Sequence, residues 1–479
     1  MSETSRPNIL LLFTDDQRFD TIQALGYPQV ITPAMDSLVD RGTAFTHAYI
    51  MGGSCGAVCM PSRAMLMTGR TLYHLQDQGQ RIPRDHVLLG EALQGAGYTT
   101  WGTGKWHNGP DAYARSFTAG AEIFFGGMDD HWNVPACDFD PTGGYDNVRP
   151  FIRDPFVTNE VTPRHVDHIR PGVHSSELFA GTAVDFLETY SEDAPFFMYV
   201  SFMAPHDPRT MPHEYHDMYE PSTIALPENY MPNHPFDNGE LRVRDELLAN
   251  FPRNPDEVRR HIAEYYAMIT HLDAQIGRIL AALDSRGWTE NTIIILAGDN
   301  GLAIGRHGLM GKQNLYDHSV HVPLLLAGPG VPQGETRDAY TYLLDIAPTL
   351  CDLVALPIPV TMEGESLVPA LENPDNRIRD TLYFAYRGYQ RAVQDDRYKL
   401  IEYVVQGTRT TQLFDLQADP WELNNLASER AHDETVVALR EQMRRWRDEL
   451  DDNQPGQGAD FWGSTRDTSS GTHDDPQAL

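Results

Sequence analysis

Cysteine is scarce: the 479-residue chain holds four, Cys55, Cys59, Cys137 and Cys351. That is too few for a disulfide framework at this length, and the spacing is not that of a zinc site. Basic residues are also in deficit, with 37 Lys and Arg against 68 Asp and Glu and a formal net charge of −31. No basic excess exists to neutralise phosphates, which excludes nucleic acid as the partner and opposes docking on anionic membranes. Missing too are an apolar run long enough to cross a bilayer and an apolar leader after Met1. A cytoplasmic protein is therefore expected from the sequence as written, or a periplasmic or secreted one if a leader has been removed. No internal repeat is present. The acid surplus has one further consequence: an anionic substrate would be repelled by the whole molecule, so its pocket must carry local positive charge.

What is present is a chain able to fold around a large core, with 41% hydrophobic and 10% aromatic residues. Continuous apolar runs at 8–13 (NILLLF), 195–202 (PFFMYVSF) and 292–297 (TIIILA), with further strands at 98–102 and 322–327, read as strands buried on both faces. Helices are expected from Thr32-Pro33 to Gly42, over 88–97 and 175–190, and along a stripe from Val258 to Leu283. Alternation of strand and helix predicts an α/β fold with a large, mostly parallel sheet flanked by helices. After residue 372, closely spaced short runs at 382–386, 391–394, 398–401 and 412–414 predict a smaller antiparallel sheet, followed by a helix over 434–450. The expected organisation is a catalytic α/β domain over 1–372, the small sheet with its helix over 373–450, and a polar, draped tail over 451–479. Residues 108–172 and 207–255 lack clear periodicity and read as long loops walling a pocket.

In such sheets ligands bind beyond the carboxyl ends of the strands. Four strand ends deliver polar groups: Asp15-Asp16, Lys105 with His107, His206, and Asp299-Asn300. The segment Cys59-Met60-Pro61-Ser62-Arg63, continuing to Thr68-Gly69-Arg70, places Cys59 at the start of a helix that Pro61 opens and Gly69 ends. There the positive end of the dipole favours an anion, so an unmodified Cys59 reads as an activated thiolate. The set Asp15, Asp16, Asp299 and Asn300 offers only hard oxygen ligands, which suits Ca²⁺ or Mg²⁺ and disfavours zinc.

The Cys59–Arg63 and Thr68–Arg70 segments resemble the signature of the type I sulfatases, members of the alkaline phosphatase superfamily. The resemblance runs from Asn8 to about Ala427 and includes Thr32–Asp36, Gly104-Lys105-Trp106-His107, Gly308–Lys312, Leu416–Pro420 and Asn424–Leu426. It implies a fold of the alkaline phosphatase type and cleavage of sulfate monoesters of a sugar or an aryl alcohol. Cys59 is then oxidised to formylglycine by a maturation enzyme. It also implies that Asp15, Asp16, Asp299 and Asn300, with an oxygen of the modified Cys59, hold a metal, usually calcium. Arg63, Lys105 and Lys312 supply fixed positive charge, and His107 and His206 move protons. In the implied mechanism the hydrated aldehyde attacks sulfur, His206, with Lys312, protonates the leaving oxygen, and His107 deprotonates the second hydroxyl to expel sulfate.

Two departures bear on specificity. Asn300 stands where some relatives, phosphonate monoester hydrolases among them, have His, and the Lys-Trp-His segment fits sulfatases better. The alternatives are a phosphonate or phosphate ester hydrolase on the same scaffold, and a catalytically silent protein that binds sulfated glycans. Within the loops, Arg209, His131 and Trp132 are expected to touch substrate, because aromatic and ionic groups together suit a sulfated sugar and Arg209 can pair with a sugar carboxylate.

Overall fold

The computed structural model describes residues 6–152 and 157–464. Its centre is a sheet of eight strands. In chain order these are β1 (Asn8–Thr14), β2 (Gly42–Phe45), β3 (Thr99–Lys105), β4 (Ala119–Phe124), β5 (Phe196–Ser201), β6 (Thr292–Gly298), β7 (Leu324–Ala327) and β8 (Glu335–Arg337). Their order across the sheet is β8-β2-β7-β6-β1-β5-β3-β4. Every neighbouring pair is parallel except the two made by β7, which runs against β6 and β2. The expected mostly parallel α/β architecture is the one observed.

Alternation along β1 shows how the sheet splits the core. Ile9, Leu11 and Phe13 enter one buried cluster, whereas Leu10 and Leu12 enter a second on the opposite face. The second cluster holds the helix Pro255–Ser285, whose Val258, Ile262, Ile269, Ile276 and Leu283 form the expected stripe. Asn254 caps that helix, its Oδ1 accepting from the backbone N–H groups of Asp256 and Glu257 at 2.9 and 3.2 Å.

Two sequence expectations need correction, and a third gains its anchor. Residues 108–172 are not loop throughout: Ala119–Phe124 is the edge strand β4, and 148–152 pairs with 161–165 as an antiparallel hairpin. The edge strand was hidden because its first three residues are only half-buried, so it lacks the apolar run that marks a central strand. The small C-terminal sheet also takes a strand from far upstream. Leu382–Tyr386, Gln390–Gln394, Tyr398–Val405 and Thr408–Asp415 are antiparallel, but Gly52–Gly53 joins its edge in parallel with Ala385 and Tyr386. Finally, the polar, draped stretch expected after Asp451 is anchored where it is described. Asp452 accepts from Arg391 Nε at 2.6 Å and Nη2 at 2.8 Å and from the Tyr383 hydroxyl at 2.7 Å. A helix over Gln457–Ser464 follows, with Phe461 buried. The cause is Arg391, whose buried guanidinium requires a counter-charge. Residues 465–479 of the expected tail lie outside the described residues.

Many histidines are packed inside, and this sets an acid limit on the fold. Burial, the largest cause in each case, pushes His131, His234 and His261 down to about 4 and His174, His271 and His307 down to about 3. Opposing them, burial raises Asp273 and Glu422 to about 7 and Asp299 to about 6. Below pH 6.5 an unfolded chain protonates all six histidines while the folded chain does not, so stability falls as pH falls. The three carboxylates act in the other direction, because the folded chain takes up their protons first. With His107 and His318 also held below their ordinary value by burial, the histidines outnumber the three carboxylates, and the net effect is a loss of stability toward acid. Thermal melting between pH 7.5 and 4.5 is expected to show a steep loss of Tm below pH 6. A flat Tm across that range would refute the assignment of neutral buried imidazoles.

Candidate active site

Four adjacent parallel strands, in the order β6-β1-β5-β3, end side by side. Their carboxyl ends carry Asp299-Asn300, Asp15-Asp16, His206 and Lys105 with His107, so the four polar strand ends picked out in the sequence converge at one place. Gly104 makes the Lys105 approach possible. It sits at φ +87, and a Cβ there would lie 1.8 Å from the Ser201 carbonyl oxygen on β5. The helix Cys59–Thr68 presents its first residue to the same point and ends at Gly69, which is left-handed at φ 63.

The side chains form a closely linked cluster. Cys59 Sγ lies 3.4 Å from His107 Nδ1 and 3.5 Å from Lys105 Nζ. Lys105 pairs with Asp15 Oδ2. Lys312 Nζ and Asn300 Nδ2 both donate to Asp16 Oδ1, at 2.5 and 2.6 Å. The Asp16 N–H donates to Asp299 Oδ1 at 3.0 Å, and His206 Nε2 lies 3.7 Å from Asp16 Oδ2. Arg63 is turned wholly inward: Nε donates to Asp299 Oδ2 at 3.0 Å, and Nη1 donates to the Lys105 carbonyl at 3.0 Å and to the Ser201 hydroxyl. It therefore holds Asp299 and the end of β3 in place, and its buried Nη2 lies 2.8 Å from Asp299 Oδ2 with no hydrogen bond among the described residues.

Three buried carboxylates, Asp15, Asp16 and Asp299, face three buried cations, Arg63, Lys105 and Lys312. Burial alone would raise Asp15, but Lys105, His206, Arg63 and Lys312 outweigh it and hold that carboxyl well below the usual range. Burial and neighbouring Asp15 raise Asp299 to about 6. Burial, with Lys105 and Arg63 beside it, keeps His107 neutral. Burial also lifts the Cys59 thiol to about 11, more than Lys105 and Lys312 can offset. This runs against the sequence reading of Cys59 as an activated thiolate: the helix start is there, but the residue is 2% exposed and burial disfavours ionisation.

The oxygen set fits a hard cation. Asp15 Oδ1 and Asn300 Oδ1 are buried and accept no hydrogen bond. Ligand atoms of Asp15, Asp16 and His206, and likewise of Asp15, Cys59 and Asp299, lie within 4.8 Å of one another. Unused carboxylate and amide oxygens in a buried site are what a divalent ion takes up.

The residues expected to touch substrate fare differently. His131 is 0% exposed. Its Nδ1 is 2.6 Å from the Ser175 hydroxyl and its Nε2 is 3.0 Å from the His206 carbonyl, so both nitrogens are used and it supports His206 from behind. That removes it as a substrate contact. Trp132 lies edge-on to His174, with centroids 5.2 Å apart. Arg209 donates to His261 Nδ1 at 2.9 Å, and its Nε and Nη2 have no hydrogen-bond partner among the described residues. Sequence reasoning missed Asn108, whose Nδ2 donates to the Met60 and Gly79 carbonyls at 2.9 and 2.7 Å and clamps the start of the Cys59 helix. It also missed Gln313, which donates to the Gly56 carbonyl at 2.9 Å and to Asp245 Oδ2 at 2.7 Å. Asn108 follows His107 directly and Gln313 follows Lys312, so adjacency to a motif was the available signal.

The chain is similar to known proteins over most of its length. The family described as Sulfatase matches residues 7–356, and the one described as N-sulphoglucosamine sulphohydrolase, C-terminal, matches residues 305–449. An ulvan-active sulfatase of Formosa agariphila is 31% identical over 444 residues, covering 88% of this chain and 78% of its own. An arylsulfatase of Clostridium perfringens is 28% identical over 474 residues, covering 91% and 93%. Among solved structures, one in complex with its substrate D-glucosamine-2-N,6-O-disulfate superposes with a TM-score of 0.72 at 22% identity, covering 94% of this chain and 99% of that one. The phosphonate monoester hydrolase of Agrobacterium radiobacter gives 0.73 at 23%, covering 93% and 96%, and shares the fold.

Proposed function

The chain belongs to the sulfatase family and is a sulfuric ester hydrolase, and from that membership we propose that Cys59, converted to formylglycine, is its nucleophile and that sulfated sugars are its substrates. The observation that carries this reading is the meeting of Cys59, His107 and Lys105 within 3.5 Å beside an oxygen-rich site. Burial raises the Cys59 thiol, which disfavours a bare thiolate and favours an oxidised form of the same residue as nucleophile. Asp15, Asp16, Asp299 and Asn300 would hold the family's divalent metal, and their hard donors favour calcium. When bound, such a cation supplies positive charge that favours ionisation of the attacking hydroxyl.

The remaining roles follow from position. Lys105 and Lys312 bring cationic charge to the sulfate oxygens, which offsets the repulsion of an acidic molecule. His107 Nδ1, neutral and beside Cys59, accepts a proton from the hydroxyl that must re-form the aldehyde. His206 Nε2 faces the cluster while its Nδ1 lies 2.8 Å from the Asp207 carbonyl, which fixes the ring for donation to the leaving oxygen. Arg63 is a positioning residue. The unpartnered nitrogens of Arg209 support pairing with a further anionic group on the sugar. The relatives named as acting on sulfated polysaccharides and aryl sulfates favour the same substrate class.

Turnover of defined sulfated sugars, aryl sulfates and matched phosphate esters by the calcium-loaded, formylglycine-containing enzyme tests the assignment. Sulfate esters are expected to be preferred, and a preference for phosphate or phosphonate esters would overturn it. His206→Ala is expected to cost unactivated sugar sulfates about 10²–10⁴-fold and p-nitrophenyl sulfate far less, because a general acid matters most for a basic leaving oxygen. Equal losses on both would take His206 out of that role.

A further inference from the structure

A cavity of about 600 Å³ lies outside the catalytic cluster, with Arg18, Asp20 and Arg306 in its lining. Arg18 follows Asp16 by two residues, and the Tyr265 hydroxyl ties the segments together, accepting from the Arg18 N–H at 3.0 Å and donating to the Asp16 carbonyl at 2.7 Å. Arg18 Nε donates to Asp20 Oδ1 at 2.7 Å, and Arg306 Nη2 pairs with Asp20 Oδ2. All three are at most 6% exposed. Two buried guanidiniums thus share one carboxylate, and a buried cation without a full counter-charge is costly. The shared carboxylate is spent unevenly: at Arg18 burial is outweighed by Asp20, whereas burial and Arg18 push Arg306 down despite Asp20, which leaves Arg306 short of counter-charge. Other acids do not supply it. Glu228 lines the cavity as an exposed residue, and Asp317 accepts from Lys399 at 2.7 Å. The walls are aromatic and half-buried: Tyr27, Tyr266 and Trp421, with the Arg306 guanidinium 5.0 Å from the Trp421 ring centroid.

A guanidinium pair pairs with a planar or tetrahedral anion, and aromatic faces take the apolar face of a ring. We propose that this cavity is a second binding site for an anionic sugar unit, whose sulfate or carboxylate completes the Arg18–Asp20–Arg306 cluster while its ring lies against Trp421, Tyr27 and Tyr266. The proposal rests on the reading of the chain as a glycan sulfatase. It lets the enzyme hold a charged saccharide at a point other than the ester being cleaved.

The test uses the calcium-loaded full chain and three probes of equal length: an oligogalacturonate, a dextran sulfate oligomer and uncharged dextran. Binding is measured by calorimetry, and p-nitrophenyl sulfate hydrolysis is followed in the same preparations. The oligogalacturonate has no sulfate ester to engage the catalytic residues, and because Arg209 stands outside this cavity, the affinity that Arg306→Gln and Trp421→Ala remove reports this cavity; its affinity relative to dextran sulfate tells carboxylate from sulfate recognition. Arg306→Gln is expected to weaken both anionic probes by about tenfold or more, the range for a hydrogen bond to a charged group. Trp421→Ala is expected to weaken them by about threefold or more through lost ring contact. Uncharged dextran should not bind, and kcat and KM for p-nitrophenyl sulfate should stay within about twofold of wild type, since that small ester does not span both sites. Wild-type affinity in both variants, or equal binding of uncharged dextran, overturns the proposal. If Arg306→Gln melts well below wild type, Trp421→Ala decides the question. Failure of the wild type to hydrolyse any sulfate ester would count against the catalytic assignment and leave the binding result standing.

Discussion

Replacing Cys59 with serine is expected to lower turnover by at least about 10⁴-fold with the fold intact. The argument is one of protonation and of leaving groups. At neutral pH a thiol held near 11 is ionised in only about one molecule in 10⁴, so unmodified cysteine is a poor nucleophile here. Serine has one hydroxyl and, once sulfated, has no second oxygen with which to expel sulfate, so it should stop after a single turnover. A hydrated aldehyde has both oxygens. Activity across preparations should therefore track the fraction of the Cys59 peptide carrying formylglycine, measured by mass spectrometry and hydrazide labelling, and not total protein. Cys59→Ala should be inactive yet melt close to wild type, because the side chain is small and sits at a helix start. A fully active preparation with an unmodified thiol would end this mechanism.

Much of this was legible in the chain because buried parallel strands leave an unmistakable trace. The runs at 8–13 and 292–297 have no polar interruption, and the residues that follow each one are free to be chosen for chemistry. That is why Asp15, Asp16, Asp299 and Asn300 could be picked out together, and why they meet beyond adjacent strands. The illegible parts share a cause, which is that their meaning depends on a distant partner. The strand Ala119–Phe124 is ordinary in composition and becomes an edge only by pairing with β3. Residues near Asp452 read as polar tail until Arg391, 61 positions upstream, supplies the charge that fixes them. His131 has the composition of a substrate ligand, but its two nitrogens are spent on Ser175 and His206. Arg63 belongs to the signature and is still a positioning residue, because Asp299 and two neighbouring strand ends use its nitrogens.

The balance of charge also explains how an acidic protein can attract an acidic substrate. Outside the cluster the field is unfavourable, with 68 acidic against 37 basic residues. Inside it, three carboxylates meet three cations within a few ångströms. A divalent ion held by those carboxylates would turn a neutral cluster into a net cationic one, and low dielectric surroundings would strengthen its pull on sulfate oxygens.

Removal of that ion is therefore expected to abolish turnover, by about 10³-fold or more, and calcium should restore it where zinc does not. The buried lone pairs of Asp15 Oδ1 and Asn300 Oδ1, which no donor meets, are the direct reason. Chelation should also lower Tm, since an ion that binds only the folded chain stabilises it in proportion to the logarithm of its free concentration. Two substitutions separate ligation from structure. Asp299→Ala should lose both metal and activity, but it also strands Arg63, and breaking a buried pair costs about 3–5 kcal/mol, so a folding defect is expected with it. Asn300→Ala removes a neutral oxygen donor and leaves every charge in place. It should fold, bind calcium about tenfold or more weakly, and regain rate as calcium is raised. Full activity in excess chelator, with metal analysis showing no bound ion, would sink the assignment. Wild-type calcium affinity in Asn300→Ala would remove Asn300 from the ligand set and leave the three carboxylates to hold the ion.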